Sequence, residues 1–298
     1  MRIVLSNSKT IGFDQLVTAI LRTDCVPVPI TLEFQVRMDD ELLEQLKEKS
    51  IIHVTDDDIP LKIIYAIVDD TAIVKDDKQV KIGSFIAILD GCENIIKPSS
   101  KAIYLQNTSI GAVLRACGVR TPVSEDVPLL KFFLPKGETP TFMIARALIE
   151  EAAVMFIDEN GKIGIRRLSS IMQSKPKLKI NGSSVKWISS ETKLRAEVPS
   201  YMTVNKDGST VEGEIKPGTT AKYVPLLDPR RLKNISTALV TKGITQRAFS
   251  PDIASGDVFE VDGSNYVVLT GAHRFDTGGT GKQSASVSKF WLAQVESV

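Results

Sequence analysis

Residues Glu138–Leu168 read ETPTFMIARALIEEAAVMFIDENGKIGIRRL, and the succession of periods inside this stretch decides how the rest of the chain is organised. Glu138-Thr139-Pro140-Thr141 has the form of a helix start: a small polar residue can cap free backbone amides, and a proline occupies the first turn, where no N–H is required. Phe142, Ala145, Leu148, Ile149 and Ala152 recur at three- and four-residue spacing, which predicts one apolar face on a helix of about three turns. Val154-Met155-Phe156-Ile157 then reads as a strand, Asp158-Glu159-Asn160-Gly161 as a turn, and Lys162–Leu168 as an alternating return strand. A helix laid on one hairpin buries too little to stand alone, so the unit is expected to sit as a small module between larger sheets.

Composition bounds what those flanks can be. A chain of 298 residues with 43% hydrophobic and 24% charged residues is globular and long enough for two or three domains. Its 37 basic and 36 acidic residues nearly cancel, which argues against a protein whose main work is gripping phosphate backbones. The balance is uneven along the chain: residues 1–100 hold 11 Lys and Arg against 17 Asp and Glu, whereas residues 101–298 hold 26 against 19. Complementary ends of this kind can meet each other or copies of each other. Cys25, Cys92 and Cys117 are sparse and odd in number, a pattern of buried thiols in a reducing compartment. After Arg2-Ile3-Val4-Leu5 the chain turns polar without a secretory core, and no apolar run approaches the ~20 residues of a membrane span.

Outside the central stretch the periods are mostly those of strands. Phe13, Leu16, Val17, Ile20 and Leu21 leave their segment open between a short amphipathic helix and a strand pair. Leu32, Phe34 and Val36 alternate with Glu33, Gln35 and Arg37, and Asp39 or Asp40 can cap a short helix carrying Leu42, Leu43 and Leu46. Strands are expected at Ile51–Val54, Leu61–Val68, Thr71–Val74, Gln79–Ile82 and Phe85–Leu89, with Asp56–Asp58, Asp69-Asp70 and Asp76-Asp77 as turns between them. Ile110–Cys117 predicts a short helix ended by Gly118, and Pro122, Pro128 and Pro135 mark an irregular connection. From Lys175 strands resume, with turns at Asn181-Gly182, Lys206-Asp207-Gly208, Pro217-Gly218 and Asp262-Gly263. Asp228-Pro229 opens a helix expected to carry Leu232, Ile235 and Leu239 and to stop at Gly243. The expected fold is mainly β with an α+β insertion: two barrel-like β domains, residues 1–120 and 175–298, flank a helix–β-hairpin module at 121–174.

Chemical motifs are weak against this background. Gly278-Gly279-Thr280-Gly281-Lys282 resembles a phosphate loop, but Asp276 stands where a first glycine belongs, Gln283 follows the lysine, and Ser284–Val295 continues as a strand and not as a helix. It reads as a hairpin loop. His53 and His273 are the only histidines; a hydrolase using His273, Asp276 and a nearby serine is the enzymatic alternative, without a Gly-x-Ser-x-Gly elbow to support it. Asp56–Asp58 lacks the alternating oxygens and central glycine of a calcium loop. Lys175, Lys177 and Lys179 share one strand face, and Trp187 and Trp291 read as core or subunit-contact residues. A small-barrel nucleic-acid binder is the third function class, disfavoured by the charge balance.

Three features together resemble the baseplate hub proteins of contractile phage tails, relatives of the hub part of type VI secretion spike proteins. They are the Thr23-Asp24-Cys25-Val26-Pro27-Val28-Pro29 lead into a strand, the Thr141–Leu168 helix-hairpin, and the terminal Gly256-Asp257-Val258-Phe259, Tyr266-Val267-Val268 and His273 pattern. The resemblance implies two related barrels per subunit and a homotrimeric ring joining the tail tube to the central spike. The implied partners are further copies of the chain, a tail spike protein, a tail tube or tube-initiator protein and other baseplate proteins, with no membrane and no specific nucleic acid. It implies a virion location in the baseplate after synthesis in the host cytoplasm, no enzyme activity, and no catalytic, cofactor-binding or metal residues. A tube-to-baseplate adaptor at another tail position is the structural alternative.

Overall fold

The computed structural model describes residues 2–54, 59–75, 78–188, 200–205, 207–213, 221–225, 227–278 and 284–297. Asp56–Asp58, Asp76-Asp77, Lys206, Pro217-Gly218 and Gly279–Lys282 therefore lie outside the described residues. The first half contributes β1 (Ile3–Leu5), β2 (Leu16–Asp24), β3 (Ile30–Met38), α1 (Asp40–Gln45), β4 (Ile51–Val54), β5 (Ile59–Lys75) and β6 (Lys78–Leu89). In β3 the buried residues Ile30, Leu32, Phe34 and Val36 alternate with Glu33 and Gln35, and Phe34 stacks on Phe85 of β6 at 5.0 Å between ring centroids. Asp39 caps α1, its carboxylate accepting from the Leu42 N–H at 2.8 Å, and Leu42 and Leu46 enter the core.

The middle of the chain adds β7 (Ile103–Ser109), α2 (Ile110–Ala116), β8 (Val123–Glu125), β9 (Pro128–Leu134), α3 (Pro140–Glu150), β10 (Ala153–Ile157), β11 (Ile163–Arg167) and α4 (Leu168–Ile171). Helix, strand, turn and return strand stand where the periods of residues 138–168 put them, with Ile157 facing Ile163 across the turn. After them come β12 (Leu178–Ile180), β13 (Val185–Trp187), β14 (Ser200–Val204), β15 (Thr210–Glu212), β16 (Ala221–Tyr223), α5 (Pro229–Ile235), β17 (Thr237–Ala248), β18 (Val258–Val261), β19 (Ser264–Asp276) and β20 (Ala285–Ser297).

The two β-rich parts join edge to edge. One 12-stranded sheet runs β1-β4-β5-β6-β3-β2-β19-β20-β17-β13, with β18 on β19 and β12 on β18. The seam between the halves is β2 against β19, antiparallel from Thr18 opposite Asp276 to Asp24 opposite Thr270. The protein is thus mainly β. The large core of the N-terminal strands continues into the module through Ile144, Ala147, Leu148, Met155 and Ile165, while Phe259, Val268, Phe290 and Leu292 centre a smaller core in the C-terminal strands. A small sheet of β14, β15 and β16 packs with α5 around Leu227, Leu232 and Ile235.

Several local expectations gave way to tertiary pairing. Within Phe13–Leu21 the strand begins at Leu16, after a turn at Phe13–Gln15, because Leu16–Asp24 finds β3 on one side and β19 on the other. Asp69-Asp70 is not a turn: β5 runs through it, with Asp70 opposite Lys81 of β6, an opposite-charge pair at 3.9 Å, and the register slips before it, between Ile63 and Tyr65, and after it, between Asp70 and Val74. Gly83 lies inside β6, where an added Cβ would meet the Phe85 ring at 2.5 Å. Pro128–Leu134, expected to be irregular, is strand β9 on β7. Helix α5 ends at Ile235, and Leu239 and Gly243 belong to β17, whose ladder with β20 takes over at Thr237.

The face of α3 is also corrected. Ile144, Ala147 and Leu148 are buried, whereas Phe142 is 71% and Ile149 49% exposed. Two neighbouring stripes of this helix are apolar, so period alone cannot say which one meets β9 and β10.

Candidate functional site

The densest charged constellation among the described residues lies where α3 ends. Glu151 follows the helix and its side chain is fully buried. Arg230, at the start of α5, grips it with two forks: Nη1 donates to Oε2 at 2.6 Å and Nη2 to Oε1 at 2.9 Å. Arg167, at the end of β11, donates from Nη2 to Oε2 and from Nη1 to the Glu151 carbonyl, both at 3.0 Å. Arg231 is buried and places Nε 3.4 Å from Glu151 Oε1 and Nη1 3.2 Å from Glu150 Oε2. Burial pushes the Glu151 carboxyl up, but the Arg230 and Arg167 guanidiniums outweigh it and hold the group below the usual carboxylate range. Asn234 adds a hydrogen bond from Nδ2 to the Glu150 carbonyl at 3.1 Å. Local rules position the parts: Asp228 caps α5, accepting from the Arg231 N–H at 3.0 Å, and Pro229 occupies the first turn, so both arginines leave the same turn toward α3. The arrangement fixes the α5 lobe to the module.

The residues with catalytic potential are dispersed. His273 is fully buried in β19, with Nδ1 2.8 Å from Ser288 Oγ on β20 and its ring against Phe249 and Phe290. Ser288 Oγ also accepts from the Ser250 N–H at 2.8 Å. Burial pushes the imidazole down to about 4, against weaker upward pulls from the Ile253 backbone and Asp252. Asp276 is not brought to it: that carboxylate accepts from Thr18 and from Arg274 Nε at 2.7 Å. His53 stands in β4. Lys177 pairs with Asp257 and Lys179 with Glu260, so the shared lysine face answers carboxylates on and beside β18. Cys25 and Cys92 are buried thiols pushed up to about 12 by desolvation, and Cys117 to about 11. No described group of His, Cys, Asp and Glu is arranged to hold a metal ion. No described helix is long and apolar enough to cross a membrane.

Surface features are more telling. The hairpin of β5 and β6 extends past its neighbours, for β4 pairs β5 only from Ile59 to Lys62 and β3 pairs β6 only as far as Lys81. Along the β5 edge that β4 leaves bare beyond Lys62, Tyr65, Ile67 and Val68 are exposed. The two-stranded sheet of β7 and β9 exposes Tyr104, Leu130 and Phe133, with Tyr104 and Phe133 paired across the strands. Trp187 is half exposed against Tyr266, and Trp291 carries the Lys289 ammonium 4.9 Å above its ring. Between the base of β5 and the end of α2 opens a cleft of about 1050 Å³. Lys62 there is held by Glu93 at 2.5 Å and Asp90 at 3.4 Å, while Lys97, Lys101, Arg115 and Arg120 also line it.

No protein-family profile matches the sequence, and no curated protein matches it either. Solved structures do match. A tail protein from Neisseria meningitidis superposes with a TM-score of 0.66 over 98% of this chain and 95% of its own, at 9% identity. The 43 kDa tail protein of prophage MuSo2 from Shewanella oneidensis gives 0.59 over 99% and 98%, at 13% identity. The chain has the fold of these tail proteins. An Escherichia coli component of the type VI secretion system, itself structurally similar to bacteriophage T4 tail proteins gp27 and gp5, gives 0.54 over 95% of this chain and 74% of its own, at 10% identity. In this tail-protein fold the loose motifs of the sequence acquire places: the Pro27 and Pro29 lead feeds β3, and Tyr266–Val268 and His273 lie on β19. The Glu151 seam had no sequence signal, because Arg167 and Arg230 stand 16 and 79 residues from Glu151 along the chain.

Proposed function

We propose that the chain is a structural protein of a phage-type tail: a baseplate hub that forms a trimeric ring and joins the tail tube to the central spike. The supporting observation is the end-to-end likeness to a Neisseria meningitidis tail protein, which leaves neither chain with a large unmatched part. In this reading residues 1–120 and 175–298 are two β bodies flanking the module at 121–174. Three copies then offer six similar positions to a six-fold tube. The exposed side chains of the β5–β6 arm and of the β7–β9 sheet supply the apolar surface that contacts between subunits need. Further copies of the chain, a spike protein, a tube or tube-initiator protein and other baseplate proteins are its partners, and the virion baseplate is its location. A non-enzymatic role accords with a His273 that is buried, paired with Ser288 and separate from Asp276.

Electron microscopy of an assembled tail tests this. Three copies at the axial tube-to-spike junction are expected; one copy, six equivalent copies or a position away from that junction overturns the hub reading, and a position elsewhere in the tail returns the adaptor.

A further inference from the structure

The cleft between the base of β5 and the end of α2 concentrates positive charge in a chain whose formal net charge is only +1. Five cations line it, Lys62, Lys97, Lys101, Arg115 and Arg120, against the carboxylates of Asp90 and Glu93. Both carboxylates are committed to Lys62, and this pairing raises the Lys62 ammonium above its ordinary value. The other four cations form no ion pair among the described residues.

The recess is also built closely. Gly91 adopts φ +90 where an added Cβ would stand 3.1 Å from the Arg120 N, and Gly118 adopts φ +94 beside the Asn94 side chain, 3.2 Å from where its Cβ would be. Asn94 Nδ2 donates to the Gly118 carbonyl at 3.0 Å, which ties the turn at Cys92–Asn94 to the end of α2. These contacts hold Arg115 and Arg120, which flank Gly118, on the same side as Lys97 and Lys101.

We infer that this cleft seats an acidic, extended polypeptide segment of a partner protein. Three observations select that ligand. The cleft is at or above the ~300–1,000 Å³ typical of small-molecule sites, and its five cations are spread along a lining that also includes Ile51, Ile103 and Val119, so it suits a run of carboxylates on a peptide better than one small anion. Among the described residues no Phe, Tyr, Trp or His lines it, which removes the stacking platform that single-stranded nucleic acid uses. Asp90, partly exposed within it, keeps acceptor sites beyond its pair with Lys62, and a peptide brings N–H groups to fill them where a phosphate backbone has none.

The test is titration calorimetry on the full chain at low and moderate salt, with an oligo-glutamate peptide, a DNA duplex and inorganic phosphate as probes. The peptide is expected to bind, to weaken with salt, and to lose about tenfold or more in affinity in K97E/K101E/R115E/R120E. Because the four residues are exposed, that variant is expected to melt as the native chain does; the neutral set K97Q/K101Q/R115Q/R120Q serves if it does not. Tighter binding of duplex than of peptide overturns the inference in favour of nucleic acid. Binding of phosphate alone, or of none of the three probes, overturns it outright. Self-association that the variant abolishes assigns the cleft to a second copy and overturns a separate partner. None of these outcomes depends on the copy number at the tube-to-spike junction, so the hub reading and this one fail separately.

Discussion

Helix α3 packs on β9, β10 and α2, with Ile144, Ala147 and Leu148 in the apolar cluster that continues into the N-terminal strands, and it meets α5 through Glu150 in its last turn and Glu151 directly after it. The first contact is apolar and continuous with the large core. The second is a buried carboxylate held by three guanidiniums. An apolar contact is nondirectional, so its strength follows the area covered and changes little with pH or salt. A buried ionic contact adds little net stability compared with well-packed apolar residues, but it is satisfied in one geometry only, and removing one member leaves charges stranded. The module is therefore attached to one neighbour by bulk and to the other by orientation.

Glu151→Ala attacks the oriented side and should have the largest effect. It strands Arg230, Arg231 and Arg167, and a loss of about 3–5 kcal/mol is expected in denaturant melting, with α5 amides exchanging earliest. A variant that melts like the native chain would mean that charge does not hold the α5 lobe. Leu148→Ala attacks the apolar side and should cost about 2–5 kcal/mol by leaving a cavity, with the same loss at low and high salt. A salt-dependent loss would erase the distinction between the two contacts.

Acid sharpens the comparison further. Glu151 is held below its ordinary value of 4.5, so its contribution is full above that pH and is lost as pH falls through the lower folded value. His273 is held at about 4 against an ordinary 6.5; the unfolded chain takes up the proton first, and stability drops by roughly 3 kcal/mol as pH falls from the higher value to the lower. Melting across pH should show the His273 step vanish in His273→Phe and the Glu151 step survive. The smallest effect belongs to Arg146→Ala. Its i,i+4 pair with Glu150 at 2.9 Å is half exposed on the arginine side, and a loss of about 0.3–0.5 kcal/mol, shrinking with salt, is expected. A larger loss would extend the buried seam outward to Arg146.

By itself the sequence determined those elements whose signals are local. The helix start at Pro140, where Thr139 stands as N-cap without a side-chain cap hydrogen bond, the 153–157 and 163–167 hairpin, the caps at Asp39 and Asp228, and the Asp262-Gly263 turn with both residues at positive φ all follow from covalent geometry and nearby hydrogen bonds. Alternation likewise marked β3 and β20 as half-buried strands. Tertiary structure alone decided which of two apolar stripes on α3 turned inward, that Asp69-Asp70 would be threaded into a strand, and that β2 would pair with β19 across 258 residues between Thr18 and Asp276. The Glu151 seam and the cationic cleft belong to the same group. Each requires side chains from distant segments to converge, and convergence depends on the packing of whole elements, for which no residue spacing along the chain is a measure.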